Sequence, residues 1–237
     1  MSKIAIISDK LPEICDKLKE FDYKLIYTEC VDGFISYEKF HADMQCITID
    51  DTVIVLNRCE KLYSQLKNEG INIIKSLEPI NGTYPHNIKL NAKVVGNRLL
   101  GKIDFLDSKL KELCINKCYS LINVNQGYSA CSILSINNNS IITADKSIQR
   151  ALKDSSIDVL KIREGHIKLH SADNDTCGFI GGASCMIDDN NVLFFGDISM
   201  HPDYEIIRKF CFDRCVNVHY IKKIPLTDIG GAVLLNY

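Results

Sequence analysis

The chain repeats itself, and this constrains its fold more than any other feature of the sequence. The pattern is plainest from Gln126 to Ile162. There CSILSI is a short apolar run, NNN supplies a turn, and SIITA is a second run. Asp145 then opens a helix-like segment with apolar residues at Ile148, Ala151 and Leu152, and IDVLKI closes the unit. The order is strand, hairpin, strand, helix, strand. One such unit leaves the apolar face of its sheet uncovered, so it requires neighbours of its own kind.

The neighbours read as copies. IISDKLPEICDKLKEFDYKLIYT lies over IITADKSIQRALKDSSIDVLKI without a gap, matching Asp9-Lys10 to Asp145-Lys146 and Asp22 to Asp158. A third copy runs from GGASCM through Asp197 to VNVHYI, a fourth contains Asp104, and a less regular fifth begins at His41. The N-terminal copy lacks its first strand, while IGGAVLLNY at the C-terminus resembles IGGASCMID and then stops. Together the two ends make one unit. The expectation is an α/β fold of five ββαβ units in a closed ring, a five-bladed α/β propeller formed by one domain over residues 1–237. Closing the ring in this way removes exposed sheet edges.

Composition narrows the function classes. Hydrophobic residues are 46% and charged residues 24% of the 237, ordinary values for a globular protein. The net charge of −2 and the scattered lysines argue against a nucleic-acid partner. No apolar run approaches the roughly 18 residues of a membrane span, so no membrane partner is expected. The eleven cysteines are odd in number, and no signal-like segment precedes Lys3. Free thiols in a reducing cytoplasm are therefore expected.

Several local signals have plain structural readings. Pro12 to Glu20 reads as a helix with Pro near its start, and the SDKLP before it has no Gly to admit a phosphate. GNRLLGK (Gly96 to Lys102) lacks the Ser/Thr of a phosphate loop, and Gly96-Asn97 reads as a hairpin turn. Cys114 with Cys118, and Cys211 with Cys215, read as buried cysteines on helix faces, since neither pair has the partners of a tetrahedral metal site. No metal or cofactor is expected. Asp9, Asp104, Asp145 and Asp197 read as helix caps, and His201 as a surface or capping residue. Gly165 to Cys177 is the longest irregular segment and suits a flap beside a site.

Aligning the units places Cys46, Cys131, Cys185 and Leu234 at one equivalent position near the start of a first strand. The residues just before them should gather at one mouth: His41 to Gln45, Gln126 to Ala130, Gly181 to Ser184 and Asp228 to Val233. Thiols, an imidazole and carboxylates about one axis suit nucleophilic chemistry on a small cationic molecule. The glycines at 181, 182, 230 and 231 would permit close strand approach there.

Five such units with a His-X-Asp motif and Gly-Gly before strands resemble the pentein fold of guanidine-modifying enzymes. That superfamily includes arginine deiminase, dimethylarginine dimethylaminohydrolase and the amidinotransferases. With HADMQ, QGYSACS, ITAD, GFIGGAS and DIGG, the whole chain most resembles a bacterial, largely clostridial, family of that fold. The resemblance implies a Cys nucleophile, a His and acidic residues that grip a guanidinium. His41 and Asp43 match the His-X-Asp motif, while the C-terminal DIGGAVLLNY has no Cys where the family's nucleophile falls. Cys131, with Cys185 as the other candidate, then takes that role, and pairing with His41 should lower its pKa. Gln45, Gly181, Gly182, Cys185 and Asp228 are expected around the substrate. The resemblance equally admits a non-catalytic binding protein, as in the ribosome anti-association initiation factor.

Overall fold

The computed structural model describes residues 3–173 and 176–236. Its strands fall into sheets in the order the repeat predicts. The first sheet joins β1 (Lys3–Ile7), β2 (Lys24–Tyr27) and the last strand of the chain, with helix α1 (Pro12–Glu20) between β1 and β2. The one-turn helix α2 (Ala42–Gln45) leads into the second sheet: β3 (Cys46–Ile49), β4 (Thr52–Val55), helix α3 (Glu60–Asn68) and β5 (Asn72–Lys75). The third sheet holds β6 (Lys93–Val95), β7 (Arg98–Gly101) and, after helix α4 (Ser108–Asn116), β8 (Ser120–Asn123). A second one-turn helix, α5 (Ser129–Ser132), leads into β9 (Ile133–Asn137), β10 (Ser140–Thr143), helix α6 (Lys146–Ala151) and β11 (Asp158–Lys161). The short β12 (Lys168–Leu169) precedes the fifth sheet: β13 (Ser184–Asp188), β14 (Asn191–Phe194), helix α7 (Tyr204–Phe212) and β15 (Asn217–His219). Last come β16 (Thr227–Asp228), parallel to β12, and β17 (Ala232–Asn236).

In each three-stranded sheet the first two strands are antiparallel and the third is parallel to the second. The two chain ends reproduce this arrangement: β17 runs antiparallel to β1, with Lys3 opposite Asn236 and Ile7 opposite Ala232. The first strands meet one another. β17 lies against β3 and β13, and β9 against β6 and β13.

The apolar positions explain the packing. Ile14, Cys15 and Leu18 put one face of α1 into a cluster with Cys185, Ile187, Phe195 and Ile229 from the C-terminal part of the chain. The Tyr23 hydroxyl closes that seam by donating to Ile187 O at 2.6 Å. Asp145 caps α6 by accepting from the backbone N–H of Ser147 and Ile148, a contact worth about 1 kcal/mol. Gly96 turns the β6–β7 hairpin with φ +58°. No described helix is long and apolar enough to cross a membrane.

Some local expectations need correction. Asp9 caps nothing, because Leu11 precedes α1 and offers no side-chain acceptor. Asp104 lies inside a 3-10 turn, and Asp107 caps α4 instead. Asp197 caps only the 3-10 turn Ile198–Met200. Asp22 matched Asp158 by coincidence: Asp158 begins β11, whereas Asp22 sits in a left-handed turn before β2. The longer α1 shifts its closing strand in sequence. Cys114 and Cys211 are buried, but Cys118 and Cys215 are exposed residues with positive φ just past their helices. His201 is buried rather than on the surface, and its Nδ1 accepts from the Asp203 N–H.

Candidate functional site

The two one-turn helices before β3 and β9 bring His41, Asp43 and Cys131 together. Their ligating atoms lie within 4.8 Å of one another, and all three residues are buried. His41 precedes α2, with its Nδ1 3.9 Å from Asp43 Oδ1. The Asp43 N–H donates to Gly230 O at 3.1 Å, which ties α2 to the C-terminal segment. Cys131 belongs to α5, which Ser129 Oγ secures by donating to Gln126 O at 2.6 Å.

Asn91, which the sequence did not single out, joins the two helices. Its Oδ1 accepts from the Ala130 N–H at 2.8 Å, and its Nδ2 donates to Asp43 O at 3.3 Å. The same Nδ2 stands 3.3 Å from the Cys131 sulfur. The Gly182 N–H donates to Cys131 O at 2.9 Å. A Cβ on Gly181 would come within 2.4 Å of the Ala130 and Ile133 carbonyls, so only glycine admits this approach.

Asp228 closes the cluster from β16. It is fully buried, and its two oxygens accept from the N–H groups of Phe179 and Gly230, each at 2.8 Å. A Cβ on Gly182 would meet an Asp228 oxygen at 2.0 Å. His41, Cys131 and Asp228 line one pocket of about 180 Å³ with Glu38, Tyr128 and Phe179. Leu169, Thr176 and Cys177 of the irregular 165–177 segment line it too, although residues 174 and 175 lie outside the described residues.

Two expected binding residues are elsewhere. Gln45 is fully buried and spends its amide on the 29–39 connector: Nε2 donates to Glu29 O and Lys39 O, and Oε1 accepts from the Glu29 N–H. Cys185 lines a different cavity, of about 520 Å³, beside Lys93, Ala232 and Leu234. The proposed equivalence of the cysteines fails in phase. Cys46 begins β3, Cys131 lies before β9 inside α5, and Cys185 is already within β13. That offset is why Cys131 alone of the three joins His41.

Burial dominates the electrostatics. It lowers the His41 pKa to about 3, with His170 adding to the effect, so the imidazole is neutral. It raises the Asp43 carboxyl well above its ordinary range, and Asp228 raises it further. It also pushes the Cys131 thiol up, aided by Asp43 and Asp228. The expected lowering of that thiol pKa by His41 is therefore absent. Asp228 is raised to about 6 by burial, against the two N–H donors. Lys93, half-buried, is lowered by burial while Asp43, Cys185 and Cys131 oppose the shift. Neither Asp43 oxygen nor His41 Nε2 has a hydrogen-bond partner of normal geometry. Such buried, unpaired groups are costly unless a ligand or proton satisfies them. A thiol, an imidazole and a carboxylate in this arrangement can move protons about a nucleophilic sulfur, and they also match the donor types of a zinc site.

Glu38, Asn91 and Lys93 were missed in the sequence, whereas Tyr128 falls within the 126–130 stretch expected at the mouth. Glu38 sits in an irregular connector and Lys93 in a strand, and no spacing marks either of them.

The fold is that of the pentein, or guanidine-modifying-enzyme, proteins. Dimethylarginine dimethylaminohydrolase from Pseudomonas aeruginosa, in a complex with citrulline, matches with a TM-score of 0.58 at 9% identity, over 94% of this chain and 92% of that one. Agmatine deiminase of C. jejuni matches at TM-score 0.55 and 12% identity, over 93% and 88%. An amidinotransferase of saxitoxin biosynthesis from Microseira wollei gives TM-score 0.55 at 11% identity, over 90% and 76%. The chain itself belongs to DUF6873, a family of unknown function, whose model matches residues 6–233. No curated protein matches it.

Proposed function

We propose that this protein is a cysteine-dependent hydrolase or transferase acting on a small guanidinium or amidinium cation. The observation that carries the reading is the convergence of His41, Asp43 and Cys131, from two repeats, beside a pocket that His41, Cys131 and Asp228 line. In this scheme Cys131 is the nucleophile, His41 the proton carrier, and Asp43 and Asp228 hold the cation. The Cys131 sulfur adds to the central carbon of the substrate while its proton passes to His41. A carbon–nitrogen bond breaks, and the departing amine takes that proton. Water or a second amine then displaces the sulfur and restores the thiol.

The raised thiol and neutral imidazole fit this scheme once the charge of a substrate is counted. A cation bound against Asp228, close to Asp43, adds the positive charge that the cluster lacks, and this favours the thiolate. We further propose that the five sheets close into one ring as a single domain, which the contacts among the first strands support, and that the eleven free cysteines reflect a reducing cytoplasm. The same raised thiol also favours a second reading, a non-catalytic receptor for such cations.

Alkylation separates the two readings. A haloacetamidine carries the cationic group and a haloacetamide does not, so Cys131 should react far faster with the amidine. The exposed Cys30, Cys118 and Cys215, which do not line the pocket, should discriminate little. Peptide mapping reads each site, and Cys131→Ser should remove the selective adduct. An unlabelled Cys131, or equal rates with both reagents, would leave the receptor reading.

A further inference from the structure

Glu38 is a buried carboxylate that the chemistry above does not use. It is 4% exposed, and its Oε2 accepts from Asn87 Nδ2 at 2.9 Å. The same Nδ2 stands 3.0 Å from the Tyr128 hydroxyl. These partners come from two other stretches of the chain, so the carboxylate is held in place rather than left to sample solvent. It lines the same small pocket as Cys131 and Asp228.

The charge of that pocket is one-sided. Glu38 and Asp228 both face it, Asp43 stands next to His41, and His41 is neutral. Tyr37, Tyr128 and Phe179 provide aromatic wall, with Tyr128 and Phe179 stacked at 6.5 Å between centroids. A planar cation suits these faces. At about 180 Å³ the pocket is also small, below the roughly 300 Å³ where drug-sized pockets begin. A short ligand held there lies near Glu38, which lines the same pocket. A carboxylate on that ligand would face Glu38 and Asp228, and no Lys or Arg lines the pocket among the described residues.

We propose that this pocket selects guanidinium or amidinium cations that bear no carboxylate, and that Glu38 sets this preference. The proposal rests on the reading of the pocket as a site for small cations. Like-charge juxtaposition in a desolvated site costs enough to reject a zwitterion by tenfold or more. A cationic or apolar tail meets no such penalty. An amine at the end of the tail would gain from Glu38.

The test is calorimetric titration of full-length Cys131→Ser, which cannot turn over, with butylguanidine, agmatine and L-arginine. Butylguanidine and agmatine should bind, and arginine at least about tenfold more weakly. Adding Glu38→Gln should weaken agmatine and shrink the agmatine-to-arginine ratio to about threefold or less, while Glu38→Asp, which keeps the charge, should preserve it. The ratio is measured within one protein, so a general loss of stability does not mimic the effect. Arginine binding as tightly as agmatine would overturn the proposal and leave the cation-site reading standing. An unchanged ratio in Glu38→Gln would remove Glu38 from the role. If none of the three ligands binds, both readings fall together.

Discussion

Replacing Gly230 by alanine should damage the site and the fold together, and the structure supplies the magnitude. Gly230 has φ +82°, a left-handed conformation that costs a side-chain-bearing residue about 1–2 kcal/mol. An alanine Cβ there would also stand 2.3 Å from His41 Cβ and 2.4 Å from His41 Cα, so the chain must move. Overpacking of this kind typically adds about 1–3 kcal/mol. The sum is about 2–5 kcal/mol, or roughly 4–20 °C in melting temperature at about 2–4 °C per kcal/mol for a chain of this size. Gly165 is the control, because its φ of +89° is just as left-handed but nothing lies within 4 Å of its Cβ position. Gly165→Ala should therefore show the conformational cost alone. Thermal unfolding of both variants, followed by circular dichroism, makes the comparison. Gly230→Ala should also lose selective labelling of Cys131, since the Gly230 carbonyl anchors Asp43. If the two variants melt at the same temperature, close contact between the C-terminal segment and His41 is not what the glycine serves.

Two further predictions follow from strand pairing and from proton linkage. Deleting residues 230–237 removes β17 and its whole pairing with β1, so the truncated chain should unfold globally; a deletion that melts like the intact protein would refute completion of the first sheet by the C-terminus. Asp228 has a folded pKa of about 6 against an ordinary 3.8, so the folded form binds its proton more tightly, and stability should fall as pH rises through that window by about 3 kcal/mol. His41, lowered from 6.5 to about 3, acts in the opposite sense, losing stability as pH falls below 6.5, so the wild-type profile alone is uninformative. The difference between Asp228→Asn and wild type removes the His41 background and reports Asp228 together with the part of the Asp43 shift that Asp228 causes, which has the same sign: the variant should gain on wild type between pH 4 and 6, and a flat difference would refute the linkage.

The sequence by itself determined what repeats at short range. The order of strands and helix within each unit, the borrowing of β17 by the N-terminal sheet, the Asp145 cap and the Gly96 turn all arise from neighbours in the chain, and periodicity records them. The mouth-lining segments were legible for the same reason, because equivalent positions in repeated units come together. Tertiary structure decided the phase within those segments. A shift of a residue or two changes which side chain faces the site, so Cys131 joins His41 while Cys46 and Cys185 turn elsewhere, and Gln45 ties down a loop instead of facing a ligand. Glu38, Asn91 and Lys93 reach the site from a connector, a loop end and a strand edge. Their importance comes from burial and from partners distant in sequence, and neither leaves a local pattern for periodicity to find.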